Sequence, residues 1–215
     1  MGIIERKKRE KEEKANLIIN ASERVFFSKG FEDATMDDIA NEAEFAKGTI
    51  YLYFQSKEEL YVAIISRALS CILDMFHNHV NDTISGLEKI EKLGKVLYDF
   101  NEKYPNYFEA FSVAHSIKIK DKLDKESEVI KTFLEKKNLI IEELIKIIEK
   151  GKEDGSVRID IDAVKTAFTI ITSVQSMMIN LGKHELCFQM FKKHNIVDKQ
   201  IINYFFYLIK EAIKK

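Results

Sequence analysis

The chain has 215 residues, 46% of them hydrophobic and 32% charged, with 34 Lys+Arg against 35 Asp+Glu. It is long enough to bury a core in one or two domains, and it lacks the bulk positive charge of histone-like proteins, so any contact with a polyanion must be local. One proline, eight glycines and abundant Ile and Phe exclude disorder, collagen-like repeats and a turn-dense β-sandwich, and predict an all-α chain.

Taken as punctuation, the glycines and the lone proline divide the chain into about nine helices. The first runs from the charged N-terminal tract through Leu17, Ile18, Ala21 and Val25 and stops at Gly30, which suits the left-handed residue after a helix end. Phe31 then folds back onto the core. Thr35-Met36-Asp37-Asp38 starts a short second helix with Met36, Ile39, Ala40 and Ala43 on one stripe, ending near Glu44. A third helix runs from Ala46 to Phe54. The fourth begins at the capping sequence Ser56-Lys57-Glu58-Glu59 and carries Leu60, Ile64, Ala68, Ile72 and Phe76 at steps of four. Beyond it, Gly86, Pro105, Gly151, Gly155 and Gly182 separate further amphipathic runs, the clearest being 133–148, 163–181 and 201–213. The expected organisation is a three-helix module at 1–55 and a longer helical body at 56–215, joined by helix four.

The link Glu44-Phe45 is short, and two short helices joined this closely form the helix-turn-helix shape that fits a DNA major groove. Helical projection puts Ile50 and Phe54 on an inward face, with Gly48 and Leu52 opposite and flanked by Thr49 and Tyr51. Gly48 would let a backbone close on DNA, while Lys47, Thr49, Tyr51 and Tyr53 can hydrogen-bond phosphates or meet base edges. Lys57 stands in the first turn of helix four, where its charge opposes the helix dipole by ~0.3–1 kcal/mol and a docked phosphate would reverse that sign.

The runs Thr35-Met36-Asp37-Asp38-Ile39-Ala40 and Ala46-Lys47-Gly48-Thr49-Ile50-Tyr51-Leu52-Tyr53-Phe54-Gln55-Ser56-Lys57-Glu58-Glu59-Leu60 resemble the TetR family of transcriptional regulators. The likeness covers residues 14–65 closely and continues beyond them only in length and helical pattern. It implies a homodimer that binds double-stranded operator DNA, usually as a repressor, and is released by a small-molecule effector. It gives Thr35 a phosphate contact, places Lys47, Gly48, Thr49, Tyr51 and Leu52 on the recognition helix, and makes Tyr53 and Lys57 further backbone contacts. Two positions depart from the family pattern. Leu52 occupies an outward site that often carries a polar or aromatic residue. Glu44 stands where glycine is usual, at a cost of ~1 kcal/mol if that residue must be left-handed.

Residues 1–60 hold ten Lys/Arg and thirteen Asp/Glu, so long-range steering toward DNA should be poor. Six of the ten cations lie between Arg6 and Lys14. That tract is either an arm reaching phosphates or the minor groove, or a solvated extension of helix one.

In the body, the aromatics Phe76, Phe100, Tyr104, Tyr107, Phe108, Phe111, Phe133 and Phe168 recur at helical spacing, which reads as core. In a TetR-like body the same region commonly forms the ligand cavity, with Gln175 and His115 as polar groups. The alternative for His115 is a satisfied core or surface histidine, the commoner role for a lone histidine. Phe168, Thr172, Ser176 and Ile179 share one face, and Ile201, Phe205, Leu208 and Ala212 another, suiting either a helix-pair dimer or an intramolecular core. His77 and His79, two apart on a helix, point to different faces and make no metal site. No GxSxG, Walker, GxGxxG or HExxH sequence occurs, so no catalytic residue, cofactor or metal is expected.

Cys71 and Cys187 are far apart and outside any CxxC pair, which suits a reduced, cytoplasmic setting. The N-terminal tract has no apolar signal region, and no stretch reaches the ~18 charge-free residues of a membrane span. The rivals to a ligand-controlled regulator are the same fold controlled by a protein partner, and a helical adaptor or enzyme that has lost DNA binding.

Overall fold

The computed structural model describes residues 2–81, 83–116, 127–181, 189 and 191–215. Nine helices have defined bounds among them: α1 (Ile3–Lys29), α2 (Met36–Glu42), α3 (Lys47–Tyr51), α4 (Lys57–His79), α5 (Gly86–Lys103), α6 (Pro105–Ser116), α7 (Glu128–Glu153), α8 (Ala163–Leu181) and α9 (Asp198–Ile213). A further helical turn covers 191–193. The only β pairing among the described residues is a single antiparallel bridge between Val157 and Lys214. The fold is all-α, as the composition predicts.

The chain forms two compact units. One takes residues up to Ser66 and, among the later described residues, 127–133; the other takes Arg67–Ser116 and the chain from Leu134. The division therefore falls inside α4 rather than at residue 55, and the start of α7 belongs with the first unit.

In the first unit, α1 buries Ile18, Ala21, Ser22 and Val25. Ser22 is accommodated there because its hydroxyl donates to the Ile18 carbonyl (2.8 Å). Gly30 ends the helix at φ 81°. Phe31 then packs against Phe26 (5.6 Å between centroids) and edge-on to Tyr61 (4.9 Å), as expected of a residue folding back onto the core.

The second unit is built on Phe100, Ile90, Ile148, Ile170 and Val96, all fully buried. Two glycines read from sequence as breaks lie inside its helices or at their ends. Gly151 falls within α7 and Gly86 opens α5; a Cβ on Gly86 would sit 2.4 Å from the Gly151 nitrogen. Gly94, in the middle of α5, lies against the Phe206 ring, which a Cβ would meet at 2.6 Å. Close backbone approach is what these positions require, and the helical pattern absorbs its cost of ~1 kcal/mol relative to alanine. The N-terminus of α5 is tied to the turn after α7: Gly86 N–H donates to Asp154 (2.8 Å) and Leu87 N–H to the Ser156 hydroxyl (3.2 Å). Gly182 and Cys187 lie outside the described residues.

By length and composition α4 could cross a membrane, although Arg67 and Asp74 interrupt it; over half of its apolar window is buried inside the protein, as in a core helix.

Candidate nucleic-acid interface and effector cavity

The turn between α2 and α3 is set by backbone hydrogen bonds. Phe45 N–H donates to the Ala40 carbonyl (3.0 Å) and Glu44 N–H to that of Asn41 (3.2 Å), the pair of bonds of a Schellman motif. Its left-handed residue is Glu44, at φ 56°. The strain expected from the missing glycine is thus present.

Beyond the turn, Ile50 and Phe54 are buried, while Leu52 is 78% exposed and Gly48 is exposed. A Cβ added to Gly48 would meet nothing within 4 Å. Glycine is therefore not demanded by packing inside the protein, and its position in a helix costs ~1 kcal/mol against alanine. Tyr51 is exposed, Thr49 and Tyr53 half-buried. The outward surface carries the small, polar and aromatic groups read from sequence, with Leu52 as its apolar tip.

Three expected phosphate contacts are engaged within the protein. Thr35 caps α2: its hydroxyl donates to Asp38 (2.8 Å) and accepts from Asp38 N–H (3.1 Å), and its own N–H donates to the same carboxylate (3.0 Å). Lys29 also donates to Asp38 (2.6 Å), and this bond, followed by those of Thr35, holds the Asp38 carboxyl down at about 2. Lys47 pairs with Asp37 (2.7 Å), whose hydrogen bond keeps the ammonium protonated above the ordinary lysine range. Both partners are exposed, so a phosphate can displace Asp37.

Lys57 is different. Its ammonium donates to the carbonyls of Phe31 (2.9 Å), Glu32 (3.0 Å) and Ala34 (3.1 Å), and lies 4.7 Å over the Phe31 ring. All three donors are spent on the loop between α1 and α2. In the folded chain Lys57 acts as an internal clamp on that loop, and the expected phosphate contact would have to draw it away from these carbonyls. Sequence gave no signal for the clamp, because the three carbonyls belong to backbone 23–26 residues away. The capping box at the start of α4 is likewise offset: Ser56 accepts from Glu59 N–H (3.2 Å), but the Glu59 carboxylate takes the N–H of Gln55 (2.6 Å) and a short hydrogen bond from the Ser127 hydroxyl.

The second unit holds a cavity of about 120 Å³. Leu69, Ile72, Leu73 and Phe76 of α4, Leu93 and Leu97 of α5, Phe111 of α6, six residues of α7 and Ile170, Ile171, Val174, Gln175 and Met178 of α8 line it. Its polar groups are Lys137, Glu143 and Gln175; His77 Nε2 lies 2.7 Å from the Glu143 carboxylate.

Of the residues expected to line a pocket, Phe76, Phe111 and Gln175 do so. Phe100, Tyr104 and Tyr107 instead form an aromatic cluster at centroid distances of 5.5–6.3 Å, and Phe108 is core. Phe133 belongs to the first unit and Phe168 is 49% exposed. The His115 side chain lies outside what is described. Aromatic spacing marked the core; the cavity walls are aliphatic residues that periodicity cannot tell from core.

The faces expected to pair divide similarly. On α8, Phe168, Thr172 and Ser176 are exposed and Ile179 half-buried, and exposed Val164 extends the same face. On α9, Leu208 and Ala212 are exposed, but Ile201 and Phe205 rest partly on the core. The exposed aromatics there are Tyr204 and Tyr207, stacked at 6.0 Å and overlooked in the sequence.

Residues 18–64 match the family model described as bacterial regulatory proteins, tetR family. The chain is 30% identical over 153 residues to the uncharacterized HTH-type transcriptional regulator YfiR of Bacillus subtilis, covering 69% of this chain and 70% of that protein. It is 30% identical over 99 residues to IcaR of Staphylococcus epidermidis, a negative transcriptional regulator of a biofilm operon, covering 45% of this chain and 52% of that one. Among solved structures it is similar to AibR in complex with isovaleryl coenzyme A and operator DNA, at a TM-score of 0.62 and 18% identity, covering 91% and 97% of the two chains.

Proposed function

The chain belongs to the TetR family of bacterial regulatory proteins and is a transcriptional regulator; we propose that it binds palindromic operator DNA as a homodimer, represses, and is released when a small, largely apolar effector enters its second unit. The observation that carries the DNA-binding part is the outward face of α3, where a helical glycine with open space around it stands beside exposed Tyr51 and Leu52. Among the described residues, none packs against the open side of Gly48, and Leu52 is 78% exposed. Gly48, Thr49, Tyr51 and Leu52 are the groups we assign to groove contact, with Lys47 exchanging Asp37 for a phosphate and Tyr53 and Thr35 at the margins.

The effector reading rests on the aliphatic cavity. Its volume is close to that of an engineered apolar cavity of ~150 Å³ that binds benzene, so as it stands it accepts a short or branched acyl group or a single ring. The isovaleryl group in the AibR complex is of that size class. Repression is supported by IcaR. Dimerisation is assigned to α8 and α9 through Phe168, Leu208, Tyr204 and Tyr207, large apolar groups whose exposure on one chain marks an association surface.

Coupling follows from α4. It runs unbroken from Lys57 to His79 and supplies four cavity-lining residues from its second half. A ligand that reshapes the cavity displaces this helix, and because both half-sites must be met together, a coupling of ~1–3 kcal/mol gives a 5- to 150-fold loss of DNA affinity.

The test is selection of duplexes from genomic DNA by the purified protein, followed by titration of the complex with isovaleryl-, butyryl- and benzoyl-coenzyme A. Release by one of them, abolished in Val174→Trp while ligand-free DNA binding persists, supports the reading. Ligand binding that is equally tight with and without DNA refutes the coupling and favours control by a protein partner.

A further inference from the structure

We infer that the lysine face at the N-terminal end of α1, formed by Lys7, Lys11 and Lys14, is a phosphate-contacting surface for double-stranded DNA and supplies the free positive charge among the described residues of the first unit. The inference rests on the DNA-binding reading above and adds a surface to it.

The described cations in the rest of this unit are already engaged. From residue 15 to residue 60 there are four Lys/Arg against nine Asp/Glu. Each of the four is occupied: Arg24 by Glu42, Lys29 by Asp38, Lys47 by Asp37 and Lys57 by three carbonyls. Of these, Lys47 is the one on the recognition helix, and to meet a phosphate it must leave Asp37 uncompensated beside the DNA. Lys131 of the same unit pairs with Glu128. A surface this acidic needs attraction from elsewhere to approach a polyanion.

The N-terminal part of α1 supplies it on one face only. Arg6 pairs with Glu10 (3.4 Å), Lys8 with Glu12 (4.0 Å) and Arg9 with Glu13 (3.7 Å), all across one turn. Lys7, Lys11 and Lys14 have no hydrogen bond or ion pair among the described residues and are exposed. The spacing makes this segregation a helix property. At 3.6 residues per turn, 7, 11 and 14 fall on the stripe that continues into 18, 21, 22 and 25. Those last four, with Phe26 at the stripe's edge, are the residues α1 buries against its own unit. The free lysines therefore extend the side of α1 that faces the helix-turn-helix, whereas the pairs Arg6–Glu10 and Arg9–Glu13 turn away from it.

The extension is rigid enough to hold this arrangement, since α1 is continuous from Ile3 and its first turn is closed by the Gly2 N–H donating to Glu5 (3.1 Å). Lys7 to Lys14 spans about 10 Å of helix. Each lysine places a compact charge on a flexible stem, which suits phosphates and carries no sequence preference.

The experiment compares two charge-matched variants of the full chain, Lys7→Gln/Lys11→Gln/Lys14→Gln and Arg6→Gln/Lys8→Gln/Arg9→Gln. Binding to a selected duplex and to a scrambled duplex is followed by fluorescence anisotropy across a salt series, with circular dichroism showing that both variants keep the helical content of the parent. For a dimer whose six lysines each meet a phosphate, the first variant should reduce the slope of log affinity against log salt by about five, at ~0.9 per contact, on both duplexes. The second should leave the slope within about one of the parent. Equal losses in the two variants would mean that only net charge matters and would overturn the inference, as would an unchanged slope in the first. Lysine-dependent binding to anionic lipid vesicles with an unchanged DNA slope would reassign the stripe to a membrane surface. A parent protein that binds neither duplex would instead remove the DNA-binding reading itself.

Discussion

Gly48→Ala asks whether the glycine on the recognition helix serves the protein or its partner. The added methyl group meets nothing within 4 Å, and Gly48 has no left-handed φ to lose. Inside the protein the change should therefore be favourable: alanine improves on glycine in a helix by ~1 kcal/mol, and for a chain of this size that raises Tm by roughly 2–4 °C. On DNA the sign reverses. A methyl group between helix backbone and groove wall pushes α3 outward, and the contacts of Thr49 and Tyr51 lengthen with it; good base-edge contacts are worth ~1–3 kcal/mol each. Affinity for a selected duplex should fall at least tenfold, the equivalent of ~1.4 kcal/mol. Thermal denaturation and anisotropy on the same preparation give both numbers. A variant that is less stable than the parent, or one that binds DNA as tightly, would refute the assignment of α3's outward face.

Glu44→Gly relieves a non-glycine residue at φ 56° and should stabilise the first unit by ~1 kcal/mol in chemical denaturation. Lys57→Ala removes the clamp on three carbonyls and should lower Tm while leaving the salt slope of DNA binding unchanged; a slope lower by one would restore the phosphate contact. Phe168→Glu combined with Leu208→Glu should yield monomers in sedimentation, and persistence of the dimer would move the interface elsewhere. Asp38 has a folded-state pKa of about 2 against an ordinary 3.8, so its contribution is present above about pH 4 and lost as pH falls toward 2. Asp38→Asn should flatten the acid dependence of stability in that window, measured by denaturation at stepped pH.

How much of this was legible in the sequence follows physical lines. The stripe of α1, the stop at Gly30 and the buried steps of α4 all depend on local spacing, which the chain states outright, whereas the left-handed demand on Glu44 comes from the family resemblance. The range of α8, Ala163–Leu181, was read to the residue because no glycine or proline interrupts it. What the sequence does not show needs tertiary information. The clamp made by Lys57 is not visible in it because the carbonyl partners come from a distant loop. Gly86 and Gly151 look like breaks because their close packing, Gly86 against the Gly151 backbone and Gly151 against Val157, is invisible in one dimension. Cavity and core are lined by the same residue types, so aromatic periodicity located the second unit's interior without separating its filled part from its empty part. On α9 the expected face was rotated toward Phe205, and the exposed Tyr204 and Tyr207 were overlooked, since aromatics at helical spacing serve core and surface alike.

If the proposed function is right, two copies of this chain present their α3 faces to one duplex. Sedimentation of the protein with a duplex enriched by selection, together with footprinting of that duplex, tests it most directly. Two chains, or a multiple of two, are expected per duplex, with paired protected half-sites related by a dyad and centred about 34–36 Å apart, one helical turn or a whole multiple of it. A single chain bound tightly to one half-site, or protection with no dyad, would contradict it.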